Sequence, residues 1–378
     1  MTKIGTTLAV AASLVAFTGC NKKKEEATAQ KPTETDVAPR APEPSKEQVK
    51  TLSGADLAEK YKLCTGLINA GTWDQFQKDC VAESYTSHSF GGTPELKGPA
   101  ALVDYFKTMK TGFPDWKLEP QLIVVSGRNI LAIDLTTGTN TGPMKTPMGE
   151  MPATNKKTGQ LMFHRLKLDD ANRATDEWAI VDPTTLLGQL GLAPPGSPPV
   201  RPVMDKGLEG APMLVVTADD AKEKANLETV QKSNDAFNAH KVADMMATLT
   251  DDAVESDQAS PADVVGKKAI EKGVTAFFAG FPDGKITGTE MWAGGDYVVQ
   301  IAKFEGTNTG DMGAMKKTGK KASVDIVEVM HFKDGKIDHL WRFRNVFQMA
   351  IQLGLVPSPP AAPAAGSAAT MAPAEPKK

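Results

Sequence analysis

Three short motifs occur twice in the chain in the same order, and this internal repeat constrains the fold more than any other feature. The paired segments are 113–115 and 281–283 (FPD), 138–142 and 306–310 (GTNTG), and 189–192 and 352–355 (QLGL). The first two pairs are 168 residues apart and the third is 163 apart. Such a long period predicts two tandem domains rather than a solenoid of short repeats.

Each copy begins with helical periodicity and continues with strands. In the first copy the pattern predicts helices at 57–70, 73–81 and 99–111, strands at 118–125, 130–139, 160–168 and 174–181, and a closing helix at 183–190. The second copy repeats this order. The fold class is therefore α+β, with three N-terminal helices packed on a curved antiparallel sheet in each domain and a half-apolar pocket between the layers.

The N-terminal segment indicates export and a lipid anchor. Residues 8–17 are apolar and too short to span a bilayer, so 1–20 is interpreted as a signal peptide. Residues 17–20 (FTGC) resemble a bacterial lipobox, which implies cleavage before Cys20 and lipidation of its thiol. The alternative is an ordinary secretory signal. Asn21 is not the aspartate of inner-membrane retention, which favours the outer membrane.

Composition sets the remaining boundaries. Segments 21–45 and 357–378 lack large apolar residues and are expected to be a disordered tether and a disordered Pro/Ala-rich tail. The folded domains are placed at 46–192 and 213–356, joined by a Pro-rich linker at 193–212. The net charge of −3 is scattered, with no basic patch among aromatics, which argues against nucleic acid as a partner.

Besides Cys20, the chain contains only Cys64 and Cys80. The two fall on adjacent predicted helices of an exported protein, where the compartment permits a disulfide. We expect them to be joined, closing a loop of about 15 residues. Two buried free thiols are the alternative. No cysteine, histidine or carboxylate cluster has metal-ligand spacing, and the sequence predicts neither a metal nor another cofactor.

Together the motifs resemble a known family. The first copy contains Tyr85 and His88, then FPD and GTNTG, then Trp178, Asp182 and QLG. This order is similar to that of the SnoaL-like polyketide cyclases, or ester cyclases, of the nuclear-transport-factor and ketosteroid-isomerase superfamily. The resemblance implies a cone-shaped α+β domain with a deep pocket. It also implies cofactor-independent ring closure by aldol condensation, with an aspartate near the end of the last strand as acid/base.

In this chain the acid/base position is Asp182. A carboxylate buried in an apolar pocket has a raised pKa and is a better base toward a C–H beside a carbonyl. However, Asp182 precedes Pro183 and is also a favourable N-cap for the closing helix. The second copy has Asn345 at this position, which can cap but cannot take a proton. The second domain is therefore interpreted as degenerate if Asp182 is catalytic.

Other polar or aromatic residues are candidates for the same pocket. His88 and His164 are possible donors to a developing oxyanion, although a lone histidine is more often structural or exposed. The resemblance places Tyr85, Asn140 and Trp178 as ligand contacts, with Asn140 alternatively satisfying buried backbone groups. Three methionines lie in the following segment and suit either a lid over an apolar ligand or a mobile exposed loop: Met144, Met148 and Met151.

Two functions follow from these features. The first is an enzyme with cyclase, isomerase or hydrolase chemistry on a hydrophobic carbonyl compound in the first domain. The second is a non-catalytic, lipid-anchored envelope protein that binds a small apolar molecule or a protein partner. Export argues against polyketide synthesis, whose acyl-carrier intermediates are cytoplasmic, and so favours the second function.

Overall fold

The helices and strands follow the predicted order in both copies of the repeat. The structure, a computed structural model, describes residues 52–356 except 89, 91–94, 147–148, 194–196, 211–212 and 314. The predicted signal peptide, Cys20, the tether, the tail and Met148 lie outside the described residues. No helix within the described ranges is long and apolar enough to cross a membrane.

The described residues of the first copy form four helices and eight strands. The helices are α1 (Gly54–Ala70), α2 (Trp73–Cys80), α3 (Gly98–Gly112) and α4 (Pro183–Leu190). The strands are β1 (Val81–Ser87), β2 (Leu96–Lys97), β3 (Lys117–Ser126), β4 (Asn129–Thr139), β5 (Met144–Thr146), β6 (Gly149–Met151), β7 (Lys157–Leu168) and β8 (Ala174–Ile180).

The second copy repeats the helices and the main-sheet strands after one additional strand, β9 (Leu214–Val216), and has an isolated bridge between Met312 and Met315 in place of the β5–β6 hairpin. Its helices are α5 (Ala221–Asn238), α6 (Val242–Ala247), α7 (Lys267–Gly280) and α8 (Val346–Leu353). Its strands are β10 (Leu249–Asp257), β11 (Val264–Val265), β12 (Lys285–Gly294), β13 (Tyr297–Thr307), β14 (Lys321–Lys333) and β15 (Lys336–Arg344). The predicted α+β class with two tandem domains is confirmed.

The two main sheets contain strands that the predicted sheet lacks. Their strand orders are β2-β1-β8-β7-β4-β3-β9 and β11-β10-β15-β14-β13-β12. The antiparallel meander occurs in both, but β1 and β10, which the sequence pattern did not predict, pair in parallel with β8 and β15. Strand β9 pairs in parallel with β3. This strand extends the first sheet, although the predicted boundary at residue 213 assigns it to the second domain.

The GTNTG motif has a structural role in both copies. The Asn140 side-chain amide donates to the carbonyls of Gly112 and Gly142, and its oxygen accepts from the Thr154 backbone amide. Asn308 makes the same bonds to Gly280, Gly310 and Thr318. Each asparagine therefore fixes the end of its third helix against the end of a central strand, which accounts for its presence in both copies.

The closing helices explain the QLGL motif. Asp182 caps α4 and Asn345 caps α8, each by accepting a bond from a backbone amide three residues later. Both helices end at a glycine with φ of 70°, Gly191 and Gly354. This left-handed conformation strongly favours glycine at a helix C-terminus. The capping alternative for Asp182 is thus realised in the structure.

The two domains pack against each other through the sheet faces that point away from the helices. Leu131, Ile133 and Phe163 of the first sheet share one apolar cluster with Val327 and Phe343 of the second. Arg165 lies between the indole rings of Trp178 and Trp292, 4.4 Å from each ring centre, and pairs with Glu290 at 3.0 Å. The described residues therefore form one packed unit rather than two independent domains.

Candidate functional site

Each domain has an internal cavity between its helices and the concave face of its sheet. The first cavity, in the first domain, is about 70 Å³ and is lined by α1, α2, α3 and the inner face of the sheet. The second cavity, in the second domain, is about 340 Å³ and lies between the corresponding elements. A water molecule occupies about 30 Å³ and small-molecule sites occupy about 300–1,000 Å³, so only the second cavity is of ligand size.

Aromatic side chains fill the first cavity. Tyr61, Tyr85 and Phe106 line it, together with the bonded Cys64 and Cys80, whose Cα atoms are 5.9 Å apart. Tyr85 is 1% exposed. The bond between the cysteines fixes α1 against the end of α2. These groups leave the first cavity with space for a few water molecules rather than for a ligand of ordinary size.

The equivalent positions in the second domain have small residues. Asn69 of α1 hydrogen-bonds to the backbone of β3, and Asn238 of α5 makes the same two bonds to the backbone of β12. The two asparagines are therefore equivalent, which aligns α1 with α5. The strand pairing aligns β1 with β10, and the FPD motif aligns α3 with α7. The aligned pairs are Tyr61 and Val230, Tyr85 and Ala253, and Phe106 and Val274. All three small residues line the second cavity, so these differences open it.

A chain of buried polar groups crosses the first domain beside the first cavity. The Tyr61 hydroxyl donates to Asp134 Oδ2 at 2.6 Å, and His164 Nδ1 lies 2.7 Å from the same oxygen. His164 Nε2 lies 3.6 Å from Glu177, which also accepts from the Tyr85 hydroxyl. The sequence identified His164 and Tyr85 but missed Asp134, Glu177 and Tyr61.

The neighbouring carboxylates change the pKa of His164. Burial alone lowers the pKa of His164, but the hydrogen bond to Asp134 and the charges of Asp134 and Glu177 outweigh it and raise the pKa above its ordinary value. Burial raises the pKa of Tyr61 and Tyr85, and the neighbouring carboxylates add to the effect. These shifts favour the protonated form of His164 and the neutral forms of Tyr61 and Tyr85.

Asp182 lies at the domain interface and does not line either cavity. Its Oδ2 accepts from the Thr185 backbone amide at 2.8 Å and the Thr185 hydroxyl at 2.9 Å, and its Oδ1 accepts from the Val346 amide at 3.3 Å. Burial raises the pKa of Asp182, because it outweighs these hydrogen bonds, each of which lowers the pKa. The raised pKa of Asp182 therefore comes from burial at the interface and does not indicate a pocket.

Three other predicted site residues also lie away from the first cavity. His88 stacks on Trp178 with ring centres 4.5 Å apart and pairs with Asp176 at 2.8 Å. Trp178 packs on Arg165 at the domain interface, and Asn140 is used by the GTNTG bonds. Of the predicted pocket residues, the structure therefore brings only His164 and Tyr85 to the cavity.

The two described methionines of the predicted lid are part of the core. Met144 is 9% exposed and Met151 is 7% exposed, and both belong to the apolar cluster of the first domain. They lie on β5 and β6, which pair with each other as a short hairpin. Neither is on a mobile exposed loop, because their side chains pack inside the domain.

The second cavity is apolar with charged groups at one end. Phenylalanines and methionines form much of its wall, including Phe237, Phe277, Phe304, Met245, Met312 and Met349. At the polar end, Arg342 donates to Glu328 at 2.9 Å and to Glu255 at 2.7 Å, and Arg344 pairs with Asp257 at 2.6 Å. Both guanidinium groups thus form ion pairs with carboxylates. The polar end of the second cavity therefore offers hydrogen-bonding groups but no unpaired positive charge.

An amide pair extends this polar end toward α5. The Asn234 amide donates to Gln300 Oε1 at 2.7 Å, and the Gln300 amide donates to Glu328 at 3.1 Å. The charges of Arg344 and Arg342 lower the pKa of Asp257 even though burial raises it. Within the described ranges, no group of three or more histidine, cysteine or carboxylate side chains is placed to hold a metal ion.

Comparison with known proteins agrees with this architecture. The family described as SnoaL-like polyketide cyclase matches residues 56–190 and again residues 228–353. A comparison with curated proteins gives no significant match.

Among solved structures, one similar protein is from Jannaschia sp. CCS1 and is described as a candidate SnoaL-like polyketide cyclase. It is 21% identical, with a TM-score of 0.35, over 37% of this chain and 99% of that one. Another is IdmH from Streptomyces antibioticus, a candidate polyketide cyclase, at 20% identity and a TM-score of 0.31 over 34% and 98% of the two chains.

Proposed function

Given that this chain belongs to the SnoaL-like polyketide cyclase family in both of its copies, we propose that it is a ligand-binding member whose second domain holds a small, mostly apolar molecule. The observation that carries this proposal is the difference in volume between the cavities, about 70 Å³ against about 340 Å³. The loss of the acid/base carboxylate at Asn345 therefore does not exclude binding by the second domain.

The lining of the second cavity specifies the occupant in outline. Its apolar body would contact the phenylalanine and methionine wall, where flexible thioethers adapt to an irregular shape. Its polar end would meet Glu255, Glu328 and Asn234. An anionic head group is disfavoured, because Arg342 and Arg344 already pair with three carboxylates.

In this proposal the first domain is a structural partner. The buried polar side chains that link Tyr61 to Tyr85 through Asp134, His164 and Glu177 lie beside a cavity that is too small for a polyketide-sized substrate. Asp182 would cap α4 and join it to α8 instead of acting as an acid/base. His88, Trp178 and Asn140 would likewise stabilise the fold and the domain interface.

The location follows from the N-terminal sequence alone. We propose processing before Cys20, lipidation of its thiol and anchoring to the bacterial envelope, with the outer membrane favoured by Asn21. A Cys20→Ser variant should then lose fatty-acid labelling and be released from membranes. Unchanged labelling of this variant would contradict the proposal.

A titration with a neutral apolar fluorophore such as Nile red tests the binding site. We expect saturable binding of one molecule per chain. Val274→Phe, which copies Phe106 of the first domain, should fill the second cavity and abolish binding while the fold is retained. Val265→Phe is the matched control, because Val265 is 66% exposed and does not line the cavity. Equal loss in both variants, or no loss in Val274→Phe, would refute the proposed site.

A further inference from the structure

A third concave region lies outside both domain interiors. The linker segment 201–210 covers one side of it, and the outer faces of β10, β14 and β15 form the other. This groove, hereafter the linker groove, has a volume of about 600 Å³. Side chains alternate along β15, so His339 and Trp341 face the linker groove while Leu340 and Arg342 face the second cavity. The two sites therefore lie on opposite faces of the second sheet, and Val254 lines both.

The linker groove is acidic. Four carboxylates line it, Glu209, Asp252, Asp263 and Asp338, against one guanidinium, that of Arg201. Arg201 is already engaged, since it pairs with Asp263 at 2.9 Å and donates to the Asp257 carbonyl at 2.9 Å.

Two imidazoles add hydrogen-bonding groups to the same surface. His331 lies 2.6 Å from Asp338, and His339 lies 2.9 Å from the Ser256 hydroxyl. Burial lowers the pKa of His339, which keeps its imidazole neutral near pH 7. The local field therefore favours a positively charged occupant.

A buried acceptor without a partner also lines the linker groove. Gln258 is 4% exposed, and its Nε2 donates to the Ser256 carbonyl at 2.9 Å. Its Oε1 has no hydrogen-bond partner among the described residues. Buried polar atoms in folded proteins are nearly always paired, and an unpaired one is costly. This oxygen requires a donor, and an amine or hydroxyl group in the groove would supply one.

Arg201 adds a second unsatisfied group. Its Nε has no partner within the described part of the chain, although the other side of the guanidinium is bonded. This donor requires an acceptor beside the positively charged group of the occupant. A hydroxyl next to an amine satisfies Arg201 Nε, and the amine satisfies the carboxylates.

We propose that the linker groove is a second binding site, which takes a small molecule carrying a protonated amine beside a hydroxyl, as in an amino sugar. Recognition rests on Glu209, Asp252 and Asp338, since Asp263 already pairs with Arg201, and on Gln258 Oε1. Free anions of similar size, such as a sugar carboxylate, are excluded by the same charges. Residues of the linker thus contribute directly to binding.

Glucosamine and glucose form a matched pair of probes, because they differ only by an amine in place of a hydroxyl. Calorimetric titration of the full chain should give saturable binding of glucosamine and at least about tenfold weaker binding of glucose, the loss expected for one charge-assisted interaction. Putrescine carries amines but no acceptor for Arg201 Nε, so it should bind more weakly than glucosamine. Equal binding of glucose and glucosamine, or no saturable binding of glucosamine, would overturn the proposal.

Variants locate the binding on the protein. Asp338→Asn and Gln258→Leu should each weaken amine binding by roughly tenfold. Asp311→Asn, at an exposed carboxylate outside the groove, should have no effect. If the groove variants fold poorly, the wild-type chain still tests the proposal. Raising NaCl from about 0.05 to 0.5 M should weaken the binding of an amine that is held by carboxylates. Salt-independent binding, or wild-type affinity in Asp338→Asn, would contradict the assignment.

Discussion

At the scale of single residues, the two copies keep the side chains that hold the fold and differ in those that fill the interior. Asn140 and Asn308 make the same hydrogen bonds, as do Asp115 and Asp283, each of which accepts from a strand amide at 2.6 Å. In contrast, Tyr85 is replaced by Ala253. The motifs shared by the two copies therefore stabilise the fold, and the residues that differ between them determine how much space each domain has for a ligand.

His164 should make the stability of the first domain depend on pH. Its pKa is raised in the folded state, so the protonated imidazole contributes stability below its unfolded pKa of about 6.5, and this stability is lost as pH rises through the folded value. We expect the melting temperature of the wild type to fall over that interval more than that of His164→Asn. A variant with the same pH profile as the wild type would contradict this account.

The same substitution tests the strength of the cluster. Removing His164 leaves Asp134, which is fully buried, without its charged partner. Breaking a buried ion pair in this way costs about 3–5 kcal/mol. Urea unfolding at pH 6 should show a destabilisation of this order, whereas His240→Asn, outside the cluster, should change stability far less.

Asp182 offers a test of capping against catalysis. Asp182→Asn copies Asn345 of the second domain, keeps the cap and removes a carboxylate whose charged form is disfavoured by burial. Its unfolding free energy at pH 7 should stay within about 0.5 kcal/mol of the wild type or rise, while Asp182→Ala should lose about 1 kcal/mol through the cap. A large loss in Asp182→Asn, measured by urea unfolding, would show that the charge itself is required.

At the scale of secondary structure elements, periodicity was sufficient for the helices and the meander but not for β1 and β10. Strand β1 follows α2 directly and only Thr248 separates β10 from α6, and the alternation of both strands is interrupted where the pairing register shifts. Because each strand begins at or next to the end of a helix, its alternating pattern could not be separated from the helical pattern in the sequence.

The buried cluster was missed for a different reason. Asp134 is 73 residues from Tyr61 and 30 from His164, so no local motif joins them. Only the comparison of aligned positions in the two copies could have pointed to the interior, through pairs such as Phe106 and Val274.

The bond between Cys64 and Cys80 joins two elements that the second domain leaves unlinked. In the chain-entropy description a loop of about 15 residues gains about 3 kcal/mol from such a bond. The double variant Cys64→Ser, Cys80→Ser should therefore lower the unfolding free energy of the first domain by about this amount. Nonreducing peptide mapping should recover the two cysteines in one peptide pair, and two freely alkylated thiols in oxidised protein would disprove the bond.

At the scale of the whole molecule, the apolar face between the sheets makes each domain depend on the other. An isolated second domain would expose Tyr297, Val299, Val329, Trp341 and Phe343. Contiguous apolar patches of this kind promote association. We expect residues 213–356 expressed alone to elute as a dimer or aggregate in size-exclusion chromatography, and the tandem 46–356 as a monomer. A monomeric, soluble second domain would contradict the packing described above.

Native mass spectrometry of the full chain and of Ala253→Phe tests the central claim most directly. Ala253 is 1% exposed and lies where the first domain has Tyr85, so a phenylalanine there fills the second cavity as the first is filled. We predict one small apolar molecule per wild-type chain, whether copurified or supplied as Nile red, and none on Ala253→Phe at comparable thermal stability. Equal occupancy of the folded variant and the wild type would contradict the claim that the second cavity is the binding site.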